Sequence, residues 1–274
     1  MKLSLSQNRK ASLFVMAGVV IWLMITLLGW VAARKHWSVA HITGYALFAV
    51  MLTLGFFKLR KRLLVLPIGT VRDWMLLHLV FGVLGFVLFF QHTGTLWPGG
   101  HYEQWIALFF YVVSITGVIG YFFQRVLPQR LADLGEQVIY DRIPIEMASL
   151  RARVESLMLE ATKETGSDTL ARYYAETLHW YFDRPRFLLS HLRGTGRSEG
   201  WIQTNLKVLS RFLNDSERAY LMKLEEIAIR KSALDAHHAI QGALKFWLFV
   251  HVPCATLLIL LAIWHLIIVS IYAR

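Results

Sequence analysis

A single cysteine among 274 residues, Cys254, rules out an internal disulfide, a CxxCH covalent haem attachment and an iron–sulfur cluster held by this chain alone. Acidic residues are scarce outside one segment. Residues 127–242 hold 16 Lys/Arg and 16 Asp/Glu, and the rest of the chain holds 13 basic and 2 acidic residues. The net charge of +11 therefore arises entirely outside that segment, at the ends of apolar runs, and needs no nucleic acid to explain it. Phosphate-binding and dinucleotide fingerprints are also missing. GTGRSEG, 194–200, has the glycines but neither the lysine nor the spacing of a phosphate loop, and reads as a linker.

What is abundant is apolar surface: 56% of residues are hydrophobic, with 17 Phe and 10 Trp. Five runs approach the roughly 20 residues that a bilayer core requires, at about 11–33, 40–58, 74–95, 105–126 and 244–271. The first is too long, and lacks the small-residue cleavage pattern, for a removable signal peptide. Tryptophan and tyrosine cluster at the ends of these runs, as an interfacial belt would place them. In a five-span arrangement ten of the outlying basic residues share one side, among them Arg62, Arg72 and Lys245, and only Arg34, Lys35 and Arg274 lie on the other. The positive-inside rule makes the first side cytoplasmic, with the C-terminus outside. The setting this suggests is a bacterial inner membrane.

The expected organisation is four spans in 1–126, a helical insert in 127–242 and a fifth span in 243–274. Met147, Leu150, Val154 and Leu157 recur at helical spacing, and so do Leu206, Leu209 and Leu213. GSD at 166–168 reads as a helix stop followed by an N-cap. The insert carries no catalytic motif, so a cytoplasmic bundle that packs on the membrane face or on a partner is expected.

Two apolar runs contain histidine at matched spacing. LLHLVFGVLGFVLFFQHT holds His78 and His92, and VHVPCATLLILLAIWHLI holds His251 and His265. Fourteen residues of α-helix span about 21 Å and nearly four whole turns, so each pair points one way from opposite ends of its span. The third and fifth spans run parallel, which allows His78 to face His251 and His92 to face His265. Facing imidazoles can bind iron from two sides, with a porphyrin filling the space between the helices. Gly82 and Gly85, and more weakly Gly117 and Gly120, would admit the ring closely. A lone intramembrane histidine is more often a helix-to-helix hydrogen bond, and Gly-xx-Gly more often tight packing; the repeated spacing on parallel spans is what favours a cofactor.

This His-x13-His arrangement on two parallel helices resembles the four-helix dihaem core of cytochrome b from the cytochrome bc and b6f complexes, and bacterial dihaem b-type membrane cytochromes more generally. TGVIGYFFQRVLP, 116–128, is similar to the end of the fourth span in such bacterial proteins. The resemblance implies two b-type haems with His78, His92, His251 and His265 as axial ligands. It departs from cytochrome b in lacking the PEWY quinol-site signature and in carrying the insert.

The expectation is thus an all-α membrane protein with a four-helix-type dihaem core, moving electrons between a quinone or redox protein and partner subunits of iron–sulfur, flavin or cytochrome c type. Whether it turns over a quinol alone stays open. Arg62, Arg72 and Lys245 inside, and Arg34, Lys35 and Arg274 outside, are candidates to pair haem propionates. His41 could approach the outer haem or a quinone; His36, His101, His179, His191, His237 and His238 read as surface or packing residues. The rivals are a non-redox transporter and a membrane anchor with an interaction domain. Pro253 is the one candidate break that a transporter reading can use.

Overall fold

The computed structural model describes residues 5–36, 38–62, 69–135 and 138–272, the side chains at 5–8 and 58–62 excepted. Every regular element among them is helical. The long helices are α1 (Leu5–Arg34), α2 (Val39–Arg62), α3 (Val71–Thr93), α4 (His101–Asp133) and α10 (Asp215–Tyr272), and all five are long and apolar enough to cross a membrane. Their large side chains are widely exposed, Leu27 at 60% and Val83 at 68%, as lipid-facing helices require.

The chain forms two compact units, Met1–Ile119 with Phe249–Arg274, and Gly120–Leu248. In the first, Leu47, Val50 and Met51 of α2, Leu84, Leu88 and Phe89 of α3, Ala107 and Phe110 of α4 and Leu258 of α10 form one buried cluster. Phe89 stacks on Phe110 at 4.1 Å between centroids, which fixes α3 against α4. Local chemistry sets the ends of α3. Thr70 and Asp73 cap each other's backbone at its start, and Gly94 closes it in the left-handed region at φ 66.

In the second unit α5 (Ile143–Thr165) buries Met147, Leu150, Val154 and Leu157 on one stripe and ends at Gly166, φ 67, where the GSD motif places a stop. Asp168 holds the N-cap position of α6 (Thr169–Tyr173), but its carboxylate binds Arg172 at 2.6 Å and no backbone N–H. A π-turn leads to α7 (His179–Asp183), followed by α8 (Leu188–Arg193) and α9 (Arg197–Leu209). The glycine-rich segment is a turn only over 194–196, because α9 begins at Arg197. Leu206, Leu209 and Leu213 are buried as their spacing predicts.

The fifth span differs most from expectation. It is the C-terminal part of a 58-residue helix that starts at Asp215 and continues through Pro253. Residues 215–243 are amphipathic and residues 244–271 apolar, yet no glycine–proline break separates them, so the change in composition at 243 is not a change in structure. The units divide between Leu248 and Phe249, and between Ile119 and Gly120; within the second, the Trp247 indole sits where a Cβ on Gly120 would lie.

Candidate functional site

Histidines fourteen apart on α3 and α10 have a residue midway on the same stripe: Gly85 between His78 and His92, and Leu258 between His251 and His265. Seven residues return a helix to within about 20° of its starting direction. Leu258 is buried in the cluster of the first unit, and a Cβ on Gly85 would meet Val50 at 3.4 Å. Packing therefore fills the middle of the stripe and leaves a histidine at each end.

At one end the rings of His92 and His265 lie edge to face, 6.4 Å between centroids and 83° between planes. Two imidazoles that shared one metal from opposite sides, with bonds of about 2.0 Å and ring nitrogens about 1.1 Å from each centroid, would stand about 6.2 Å apart. Perpendicular planes suit such a pair, since each ring can turn about its own bond to the metal.

The surroundings of His92 orient it for this. Its Nδ1 lies 3.0 Å from the carbonyl oxygen of Ala40, which accepts the Nδ1–H and leaves Nε2 as the lone-pair nitrogen. Gly44, one turn further along α2, makes room for the ring, because a Cβ there would come 2.8 Å from His92 Cε1. His41 and His265 are both near enough to interact electrostatically with His92. The Tyr102 ring stacks on His265 at 6.3 Å, and its hydroxyl donates to the carbonyl of Leu261 at 2.6 Å. That carbonyl lies one turn before His265, whose buried Nδ1 has no partner among the described residues.

At the other end His251 Nδ1 is 2.8 Å from Thr116 Oγ1. The Thr116 hydroxyl already donates to the carbonyls of Val112 and Val113 at 2.7 and 3.1 Å. With that proton on a carbonyl, its oxygen accepts from the Nδ1–H tautomer of His251, in which Nε2 is the lone-pair nitrogen. Gly117 lies beside the same ring, 3.7 Å from Cε1 to a Cβ built on it. His78 packs against Phe57 at 5.1 Å.

The other expected residues divide. A Cβ on Gly82 would meet nothing within 4 Å, whereas Gly120 is occupied by Trp247 and admits that indole instead of a porphyrin edge. Arg34 lies over the Trp30 ring at 3.7 Å, and Arg72 is exposed in the first turn of α3. Lys245 binds Asp141 at 2.9 Å and covers the Tyr140 ring, within the second unit. Lys35 follows the end of α1. The Arg62 side chain and Arg274 lie outside the described residues. Ala40, Gly44, Tyr102 and Thr116 were not singled out by sequence reasoning as neighbours of histidines. The available signal was weak: a glycine three residues after His41, and a threonine beside Gly117.

Among the described residues no three His, Cys, Asp or Glu converge, so what they offer is the His92–His265 pair and not the closed four-ligand set of a structural zinc site. Two opposed imidazoles suit a metal whose remaining ligands arrive with it, as in a macrocycle. Comparison with protein-family models, with curated proteins and with solved structures returns no match for this chain.

Proposed function

We propose that this chain is a membrane electron-transfer subunit holding two b-type haems between α3 and α10, one by His92 and His265 and the other by His78 and His251. The observation that carries this reading is the 6.4 Å separation of the His92 and His265 rings, close to the roughly 6.2 Å at which two imidazoles would share one metal. The Ala40 carbonyl and the Thr116 hydroxyl support it, because each engages Nδ1 of a ligand candidate and leaves Nε2 available to a metal. Haem held by two imidazoles supplies one-electron chemistry with both axial positions filled, which favours outer-sphere transfer over oxygen binding.

The protein's part is to set two such sites about 21 Å apart along α3 and to keep them dry with Leu258, Leu84 and Leu88 between them. In this reading the N-terminus and the insert are cytoplasmic and the C-terminus periplasmic in a bacterial inner membrane, an orientation that the basic residues at the span ends support through the positive-inside rule. Electrons pass between a quinone or a redox protein at one face and partner subunits of iron–sulfur, flavin or cytochrome c type at the other.

A pyridine haemochrome assay on the purified chain, with His265→Ala and His251→Ala alongside, tests this. About two b haems per chain, with each substitution disturbing a different one, is the expected result. A colourless protein, or haem content indifferent to both changes, would overturn the reading and leave a transporter or an anchor.

A further inference from the structure

The second unit carries an exposed apolar and basic turn that the electron-transfer reading does not use. Residues 184–197 contain Arg184, Arg186, Arg193 and Arg197 and no acidic residue. Leu188 and Leu189 lie among them, exposed at 39% and 67%. Arg184, Arg193 and Arg197 are exposed, and Arg186 folds over the Trp180 ring at 4.2 Å.

The turn is held in a defined shape. Lys231 donates to the Arg184 carbonyl at 3.0 Å, and Asp235 accepts from the Arg186 amide at 3.2 Å. Phe187 sits at φ 54, unusual for a residue with a side chain, and its ring packs against Trp180, Tyr181 and Trp201. With Phe187 fixed inward, Leu188 and Leu189 are left outside. The same turn is tied to α4: the Arg130 guanidinium donates to the carbonyls of Leu192 and of Arg193, the latter at 3.1 Å. Arg130 lies one turn past Val126, where the apolar run of α4 ends.

We propose that this turn is a lipid-contact surface, in which Arg184, Arg193 and Arg197 bind anionic phospholipid headgroups while Leu188 and Leu189 enter the acyl boundary. Three arguments select a lipid occupant: four arginines and no acidic residue within 184–197, though Asp183 and Glu199 flank it, paired leucines at its centre, and attachment to the end of a helix long and apolar enough to span a bilayer. The inference requires membrane residence alone and is independent of haem.

The test uses the full chain with Cys254→Ser and a nitroxide at Leu189→Cys, in nanodiscs of phosphatidylcholine alone or with phosphatidylglycerol. Collision with oxygen and with a water-soluble nickel chelate reports immersion, and Leu159 on α5, also exposed, is the control position. With phosphatidylglycerol the label at 189 should gain oxygen contact and lose nickel contact, and the control should not change. Each arginine reversed to glutamate should weaken the association about fivefold, and high salt should do likewise. Arginine-to-lysine variants should keep it, which separates charge from folding. A label equally water-exposed in both lipids would overturn the proposal in favour of a protein-facing surface. Immersion indifferent to lipid charge would overturn the headgroup assignment.

Discussion

Replacing Thr116 by valine removes one oxygen and little volume, and it isolates the contact that orients His251. The hydroxyl is fixed by the Val112 and Val113 carbonyls, so its acceptor role toward His251 Nδ1 at 2.8 Å is preorganised. Without it a buried N–H loses its partner, a cost of about 1–3 kcal/mol. Partners of this kind change metal affinity by about 10–100-fold. Donation from Nδ1 also makes Nε2 a stronger electron donor and favours the oxidised metal. If about 1 kcal/mol of the contact distinguishes the two oxidation states, its loss raises one midpoint potential by about 40 mV. Spectroelectrochemical titration of the purified protein should show one haem shifted upward and more easily lost, with the other in place. Thr116→Ser should restore the original trace. Two unshifted potentials at full haem content would refute the role of Thr116 and weaken the assignment of His251.

Gly44→Val should displace the His92 ring, since even a Cβ would lie 2.8 Å from Cε1, and haem content should fall by about half while the His251 end is kept; unchanged content would show that α2 does not shape the site. Lys231 and Asp235, joined at 2.6 Å and almost wholly buried, form an ion pair in the insert. Burial works against charge on both, pushing the Asp235 carboxyl up to about 6 and holding the Lys231 ammonium down, while each partner offsets part of this. Asp235→Leu alone should therefore cost about 3–5 kcal/mol, and Lys231→Met with Asp235→Leu much less. Thermal unfolding followed by circular dichroism in detergent checks this, and equal losses in the two variants would contradict it.

Much of the architecture can be read from the chain because the membrane imposes strong patterns. The five apolar runs, the Met147–Leu157 stripe and the Gly166 stop all appear in the structure where local periodicity puts them. The fourteen-residue spacing suggests the His92–His265 pairing, and in the structure those two rings lie edge to face, 6.4 Å between centroids. What escaped was tertiary. Ala40 contributes a carbonyl, which has no sequence signature, and Gly44 and Thr116 matter only through a ring from another helix. Gly120 looked like Gly117 in sequence, and only the fold shows that Trp247 fills its space. Lys231 and Asp235 have the i, i+4 spacing of an ordinary surface pair, yet the bundle closes over both.

The placement of the insert between the two helices that carry the paired histidines also sets an order of birth. His78 and His92 leave the ribosome with α3, but their counterparts on α10 come more than 150 residues later, a delay of roughly 10–30 s at ordinary rates of synthesis. Through that interval α3 carries two imidazoles with no opposite number. The first half of α10, which completes the core of the insert, is made before the second half that carries His251 and His265, so under the proposed function haem capture follows the synthesis of the whole insert.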